Sequence, residues 1–285
     1  MKKADLILCG DIHIRESVPI CRTDDFFTAQ WKKLSFIKDL QIKHNCPVLC
    51  SGDLFDHWKP SPELLSNTIN FLPENFHTVY GNHDLPNHNL ELESKCGAFT
   101  LWQAQIIGVF NTCHFGNLPE EESITIKGKK ILVWHKMVYK NELPFPGCTD
   151  PKARSILHNY PQFDLILTGD NHQPFTQEYK GRLLVNPGSM MRQEAGQIDY
   201  KPAVWLWYAE TNTVEPVYLP IVKNTVTREH LEVAEKRESR IHAFVETLNT
   251  KGMDAISFEK NLEVFFQQNT IREDIKEITY KMLEQ

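Results

Sequence analysis

Phe76-His77-Thr78-Val79-Tyr80-Gly81-Asn82-His83-Asp84 is the stretch that decides how this chain is read. Phe76 to Tyr80 is an apolar run suited to a buried strand, and Gly81 then frees the backbone to turn. Three side chains that bind metals or move protons follow at once. A hydrophobic core gains nothing from asparagine, histidine and aspartate in succession, because buried polar groups cost free energy unless they are partnered. The tetrapeptide Gly81-Asn82-His83-Asp84 therefore marks a functional strand end.

The same arrangement recurs on both sides of it. Asp5 to Cys9 is an apolar run that leads into Asp11-Ile12-His13, and Pro47 to Cys50 leads into Gly52-Asp53-Leu54-Phe55-Asp56. Between these runs, Asp24 can cap a helix carrying Phe27, Trp31, Leu34 and Ile37 and ending near Asn45. Ser61-Pro62 starts a second helix whose buried face is Leu64, Leu65, Ile69 and Leu72. Strand, helix, strand, helix, strand is the order of parallel βαβ units, in which ligands gather beyond the carboxyl ends of the strands.

Downstream, Leu90 to Gln105 reads as a helix, and Ile106–Phe110, Ser123–Lys127 and Lys130–Trp134 read as strands, the last two joined by a turn at Gly128-Lys129. Lys130–Trp134 ends in His135. Asp150-Pro151 caps a short helix, and Phe163–Thr168 is a strand ending in Gly169-Asp170-Asn171-His172. Leu183–Val185 precedes the loop Asn186-Pro187-Gly188-Ser189, and Ala203–Tyr208 with Val214–Leu219 forms a closing hairpin. From about Thr227 the composition shifts to charged amphipathic helix. Ile241, Phe244, Val245 and Leu248 form one stripe, stopped by Gly252; Ser257 opens a second helix, and Thr270 with Glu273 makes a capping box for a third bearing Ile275, Ile278 and Met282. The expected domains are 1–222 and 223–285.

Composition narrows the classes. A 285-residue chain that is 41% hydrophobic has enough apolar residues for one large core plus an appendage. Its formal charge of −6 supplies no overall attraction to nucleic acid, so such a partner would need a local basic patch or metal ions. The seven cysteines are an odd set without CxxC spacing, which argues against a disulfide framework or a zinc knuckle. Neither a signal-peptide pattern nor an apolar stretch near 20 residues is present, so a cytoplasmic protein outside the membrane is expected.

The order DxH, GDxxD, GNHD, a lone histidine, and GDNH where GHxH is usual, resembles the calcineurin-like metallophosphoesterase superfamily across residues 5 to 220. The resemblance implies an α/β fold, a four-layer α/β/β/α sandwich with a small helical C-terminal appendage. It implies that Asp11, His13, Asp53 and His172 hold one divalent ion, and that Asp53, Asn82, His135 and Asp170 hold a second. Asp170 replaces the family's first histidine; a carboxylate is a competent hard-metal donor. His83 would stabilise the transition state or protonate the leaving oxygen, oriented by Asp56. Mixed oxygen and imidazole donors suit Mn²⁺, with Fe or Zn²⁺ as alternatives.

Within the superfamily, GDLFD, GNHD and the later Pro-Gly-Ser loop look most like the DNA-repair nuclease branch typified by bacterial SbcD. That implies a DNA phosphodiesterase working with an ABC-type ATPase, which this sequence cannot supply because it contains no Walker A loop. Self-association is left open. The competing readings are a stand-alone phosphatase or phosphodiesterase of a small nucleotide, and a non-catalytic scaffold of the same fold. Ser189 and Arg192 are candidates to face substrate, and Lys127, Lys129, Lys130, Lys136 and Lys140 are the basic residues nearest His135 in sequence.

Overall fold

The computed structural model describes residues 2–110, 113–118, 123–250 and 258–283. Contacts divide the chain into two units, Met1–Thr227 and Arg228–Gln285. Residues 223–227 go with the first unit because main-chain bonds hold them there: Thr23 N–H donates to Thr225 O at 3.1 Å, and Thr227 N–H to Cys21 O at 2.7 Å.

The strands of the first unit are β1 (Leu6–Cys9), β2 (Val48–Cys50), β3 (Phe76–Thr78), β4 (Gly108–Val109), β5 (Ile124–Ile126), β6 (Lys129–Trp134), β7 (Leu165–Thr168), β8 (Phe175–Tyr179), β9 (Arg182–Asn186), β10 (Ala203–Tyr208) and β11 (Thr213–Tyr218). They form one sheet in the order β11-β10-β1-β2-β3-β4 and another in the order β5-β6-β7-β9-β8. β1 to β4 run parallel, as do β6, β7 and β9. The helices are α1 (Phe26–His44), α2 (Pro62–Phe71), α3 (Gly97–Gln103) and α4 (Ala153–Asn159).

Alternation of side chains along the strands builds the layers. Ile7 and Cys9 of β1 join Val48, Cys50 and Phe76 in a core shared with Trp31, Leu34 and Ile37 of α1 and Leu64 of α2. Leu6 and Leu8, on the other face, meet Ile131, Val133, Leu165, Leu167 and Val185 between the two sheets. Leu132, Trp134 and Ile166 point the opposite way and pack on Ala153, Ile156 and Leu157 of α4. Helix, sheet, sheet, helix is the four-layer sandwich expected above.

Local expectations were revised where side chains found other partners. The cap of α1 is Asp25, whose Oδ1 accepts Thr28 N–H at 3.0 Å, because Asp24 is engaged with Arg22. Asp150 caps no helix; it pairs with Lys136 at 2.7 Å, and α4 starts after Lys152. The expected helix 90–105 is a 3-10 turn, Leu90–Lys95, followed by α3, with the extended backbone of Cys96 between them. β8 was not expected: its exposed and half-buried pattern gives no alternating apolar signal. The β5–β6 turn is Lys127-Gly128, at φ 49° and 77°, which is one residue earlier than expected.

The second unit contains α5 (Glu229–Thr250), α6 (Phe258–Gln268) and α7 (Glu273–Leu283). Phe266 and Tyr280 meet edge to face at 5.7 Å, while Ile241, Val245, Ile275, Ile278 and Met282 are exposed. α7 begins at Glu273, so Thr270 lies outside it; Gly252 and Ser257 fall outside the described residues. Among the described residues, no helix is long and apolar enough to cross a membrane.

Candidate metal centre

Five parallel strands end at one rim. β1 leads to Asp11 and His13, β2 to Asp53 and Asp56, and β3 to Asn82 and His83; from the other sheet, β6 leads to His135 and β7 to Asp170 and His172. Asp11, His13, Asp53 and Asp170 all have left-handed backbones, with φ of 47°, 48°, 54° and 68°. Non-glycine residues avoid that region unless their surroundings over-determine it, and such positions concentrate at functional sites.

A buried carboxylate supplies part of that constraint. Asp84 is 1% exposed, and its Oδ2 accepts Leu54 N–H at 3.2 Å and Gly81 N–H at 3.1 Å while Oδ1 accepts Phe55 N–H at 3.1 Å. It thereby clamps the turn after β3 to the turn after β2. Gly81 is needed for the close approach, since a Cβ there would overlap Asp53 Oδ1.

With the two turns clamped, His83 N–H donates to Asp53 Oδ1 at 2.9 Å. Asp53 Oδ2 is left facing His13 Nε2 and His135 Nε2, each at 3.5 Å. His13 Nε2 lies 3.2 Å from His172 Nε2, and His135 Nε2 lies 2.9 Å from Asn82 Oδ1. Asp11-His13-His172, His13-Asp53-His83 and Asp11-Asp53-His135 each bring one donor atom per residue to within 4.8 Å of the others. Asp11, His13 and Asp53 each belong to two of these groups.

The pattern of the Calcineurin-like phosphoesterase superfamily domain matches residues 4–203. The chain belongs to that superfamily. Among curated proteins it is similar to the DNA double-strand break repair protein Mre11 of Methanosarcina acetivorans, with 29% identity over 181 residues. That match takes in 53% of this chain but 27% of the relative, so the chain spans about a quarter of that protein's length. Among solved structures, a novel archaeal phosphodiesterase superposes with a TM-score of 0.43 and 15% identity, over 75% of this chain and 99% of that one. Vacuolar Protein Sorting 29 of Cryptosporidium parvum superposes at 0.39 and 20%, over 77% and 100%.

Divalent metals are the cofactors of this phosphoesterase superfamily, and the donor set fits a cation on its own chemistry. His135 Nδ1 faces the Ser51 carbonyl at 2.7 Å, so both ring nitrogens face oxygen acceptors, and a neutral imidazole can donate only once. Asp11 Oδ2 and His13 Nδ1 are buried without a hydrogen-bond partner. Burial pushes the Asp53 carboxyl well up, with the charges of Asp84 and Asp11 adding to it, and burial likewise raises Asp11. His13 is pushed well down by burial and then by His172, which keeps a ring lone pair available. A cation among these groups would reverse the penalty on the carboxylates.

Some expected neighbours sit differently. His83 Nδ1–H donates to the main-chain oxygen of Asp56 at 2.8 Å, and not to its carboxylate, because Asp56 Oδ1 is taken by Arg15 Nη1 at 3.0 Å. Asp170 reaches the rim, where its main-chain N–H donates to Asp11 Oδ1 at 3.0 Å; its side chain is in none of the three donor groups and lines a cavity with His135, Phe115, Lys136 and Asp150. Ser189 and Arg192, expected as candidates to face substrate, are both buried. Ser189 is fully buried, donating to Met191 O at 2.9 Å, and Arg192 is 5% exposed, held by Ile198 O and Val222 O. Three of the lysines are paired with acids: Lys127 with Asp5, Lys129 with Asp164 and Lys136 with Asp150.

Three supporting residues had no signal beyond their helix or motif. Asp84 was legible only as part of GNHD. Gln30 and Lys33 of α1 are polar residues beside Trp31 and Leu34; Gln30 holds both Arg15 N–H and Arg15 O, and Lys33 Nζ donates to Met190 O at 2.8 Å.

Proposed function

We propose that this phosphoesterase is a divalent-metal-dependent DNA phosphodiesterase of the SbcD-like nuclease type, with Mn²⁺ as its preferred ion. The observation that carries the hydrolytic part is Asp53 Oδ2 at 3.5 Å from both His13 Nε2 and His135 Nε2, one carboxylate oxygen shared between two sets of donors. The similarity to a protein named for DNA double-strand break repair supports the nucleic-acid part.

In this reading Asp11, His13, Asp53 and His172 hold one ion, and Asp53, Asn82, His135 and Asp170 hold the other. When bound, such a pair neutralises phosphoryl charge and lowers the pKa of water. The remaining steps belong to the chain. The Asp84 clamp and the His83 N–H fix Asp53 so that Oδ1 is engaged and Oδ2 faces inward. Exposed His83, with Nδ1–H anchored on Asp56 O, presents Nε2 as the nitrogen that delivers a proton to the leaving oxygen. Arg15 spans Asp56 Oδ1 and Gln193 Oε1 at 3.0 and 3.1 Å and keeps that anchor in place. The ATPase for processive work is a separate subunit in this proposal.

Pairing of three lysines with acids, in a chain of net charge −6, favours the competing reading of a small nucleotide substrate. Purified protein with Mn²⁺, incubated with single-stranded DNA, duplex DNA, cyclic nucleotides and phosphomonoesters, with and without an ATPase partner, separates the two. Cleavage of DNA is the expected result. Efficient turnover of a small nucleotide with no DNA cleavage under any metal or partner condition sinks the nuclease reading.

A further inference from the structure

Three cations converge away from the donor groups. Arg22, Lys33 of α1 and Arg192 line one cavity of 110 Å³, with exposed Lys32 and Val222 also on its wall, and Asp24 is the single carboxylate among its lining residues. All three are buried: the Arg22 side chain is 4% exposed, Lys33 4% and Arg192 5%. Arg22 forks onto Asp24, Nε to Oδ1 at 2.8 Å and Nη2 to Oδ2 at 2.7 Å, and that pair is neutral. Among the described residues, neither Lys33 nor Arg192 forms an ion pair with an acid. Lys33 Nζ donates to Met190 O at 2.8 Å, and Arg192 donates to Ile198 O, Val222 O and Thr225 Oγ1. Arg192 Nε is buried with no acceptor.

Carbonyl and hydroxyl dipoles offset only part of the cost of removing a cation from water, and an unpaired buried charge calls for a counter-ion. We propose that this cavity is an anion site for a tetrahedral oxyanion of the inorganic phosphate type, bound by Lys33 Nζ and Arg192 Nε, with Lys32 drawing it in. A cavity of 110 Å³ has room for such an anion. The charge balance agrees: burial, then the charges of Arg22 and Arg192, push Lys33 down to about 7 against the opposing pull of Asp24. Met190 connects the cavity to the metal centre, since its oxygen accepts from Lys33 while its N–H donates to Asp11 O at 3.1 Å. Occupancy would therefore act on Asp11 through one side-chain and one main-chain hydrogen bond, whatever the substrate proves to be.

The test is thermal unfolding of the full chain at neutral pH with a chelator present, so that the metal centre does not recruit phosphate. Sodium phosphate is titrated against sodium chloride at equal ionic strength, for wild type and Lys33→Met. A midpoint that rises and saturates with phosphate in wild type, and does not respond in K33M, is expected. No rise in wild type, or an equal rise in both, overturns the site. A second measurement needs no variant: the Lys33 Cε resonance in lysine-labelled wild type should titrate at higher pH with phosphate than with chloride, because the anion favours the charged amine. An unchanged titration midpoint also overturns the proposal.

Discussion

His135 donates its Nδ1–H to the main-chain oxygen of Ser51 at 2.7 Å, which joins the second sheet to the loop after β2. A carbonyl oxygen only accepts, so the proton resides on Nδ1, and the Nε2 lone pair faces Asn82 Oδ1 and Asp53 Oδ2. His135→Ala should therefore empty one of two ion positions and leave the one served by Asp11, His13 and His172. Metal analysis after dialysis against Mn²⁺ checks this. Full stoichiometry in the variant would contradict it.

Asp53 and His83 should separate cleanly. Asp53→Asn weakens the oxygen shared by both donor sets, so both ions and all activity should be lost. His83→Ala should keep the ions and lower turnover by about 10² to 10⁴. One atom of His83 lies in a donor group with His13 and Asp53, which makes metal content the informative readout. A His83→Ala protein that has lost metal would make His83 a ligand.

Asp170 offers two contributions that one variant distinguishes. Its main-chain N–H to Asp11 survives in Asp170→Ala, whereas the carboxylate beside His135 does not. We expect this variant to bind the His135 ion more weakly, and Asp170→His to retain two ions with an altered metal preference. Unchanged Mn²⁺ affinity in Asp170→Ala, read by calorimetry, would limit the residue to its backbone role.

Asp84→Ala leaves the N–H groups of Leu54, Phe55 and Gly81 without their acceptor. Each buried orphan costs about 1–3 kcal/mol, so a stability loss of at least about 3 kcal/mol is expected in urea unfolding. A loss below about 1 kcal/mol would mean that the two turns hold their shape without the clamp.

Acid should weaken the fold through His114. It accepts Tyr80 N–H at 3.0 Å, and burial pushes it from 6.5 down to about 4. The unfolded chain therefore binds a proton that the folded chain refuses between those values. Stability from this group is complete above pH 6.5 and is lost as pH falls towards 4, by on the order of 3 kcal/mol. His114→Gln keeps an acceptor and should flatten that part of the profile. An identical slope in the variant would assign the acid sensitivity elsewhere.

The strand ends and the residue types at the rim were legible in the chain alone. An apolar run followed by glycine and polar donors is a local signal, and its repetition after Cys9, Cys50 and Tyr80 implied parallel strands delivering side chains to a common edge. The amphipathic stripes of α1 and α2 were equally local. Which atoms meet was decided elsewhere. Asp56 turns its carboxylate to Arg15 and only its carbonyl to His83; Asp170 reaches Asp11 through its backbone; Arg192 and Lys33 are buried together. Each of these contacts joins segments far apart in the chain, 27 residues for Asp56 and His83 and 159 for Asp11 and Asp170. Sequence periodicity reports the face on which a residue lies. The packing of one sheet against the other determines what that face finds opposite it, and a hydrogen bond depends on that distance to within a few tenths of an ångström.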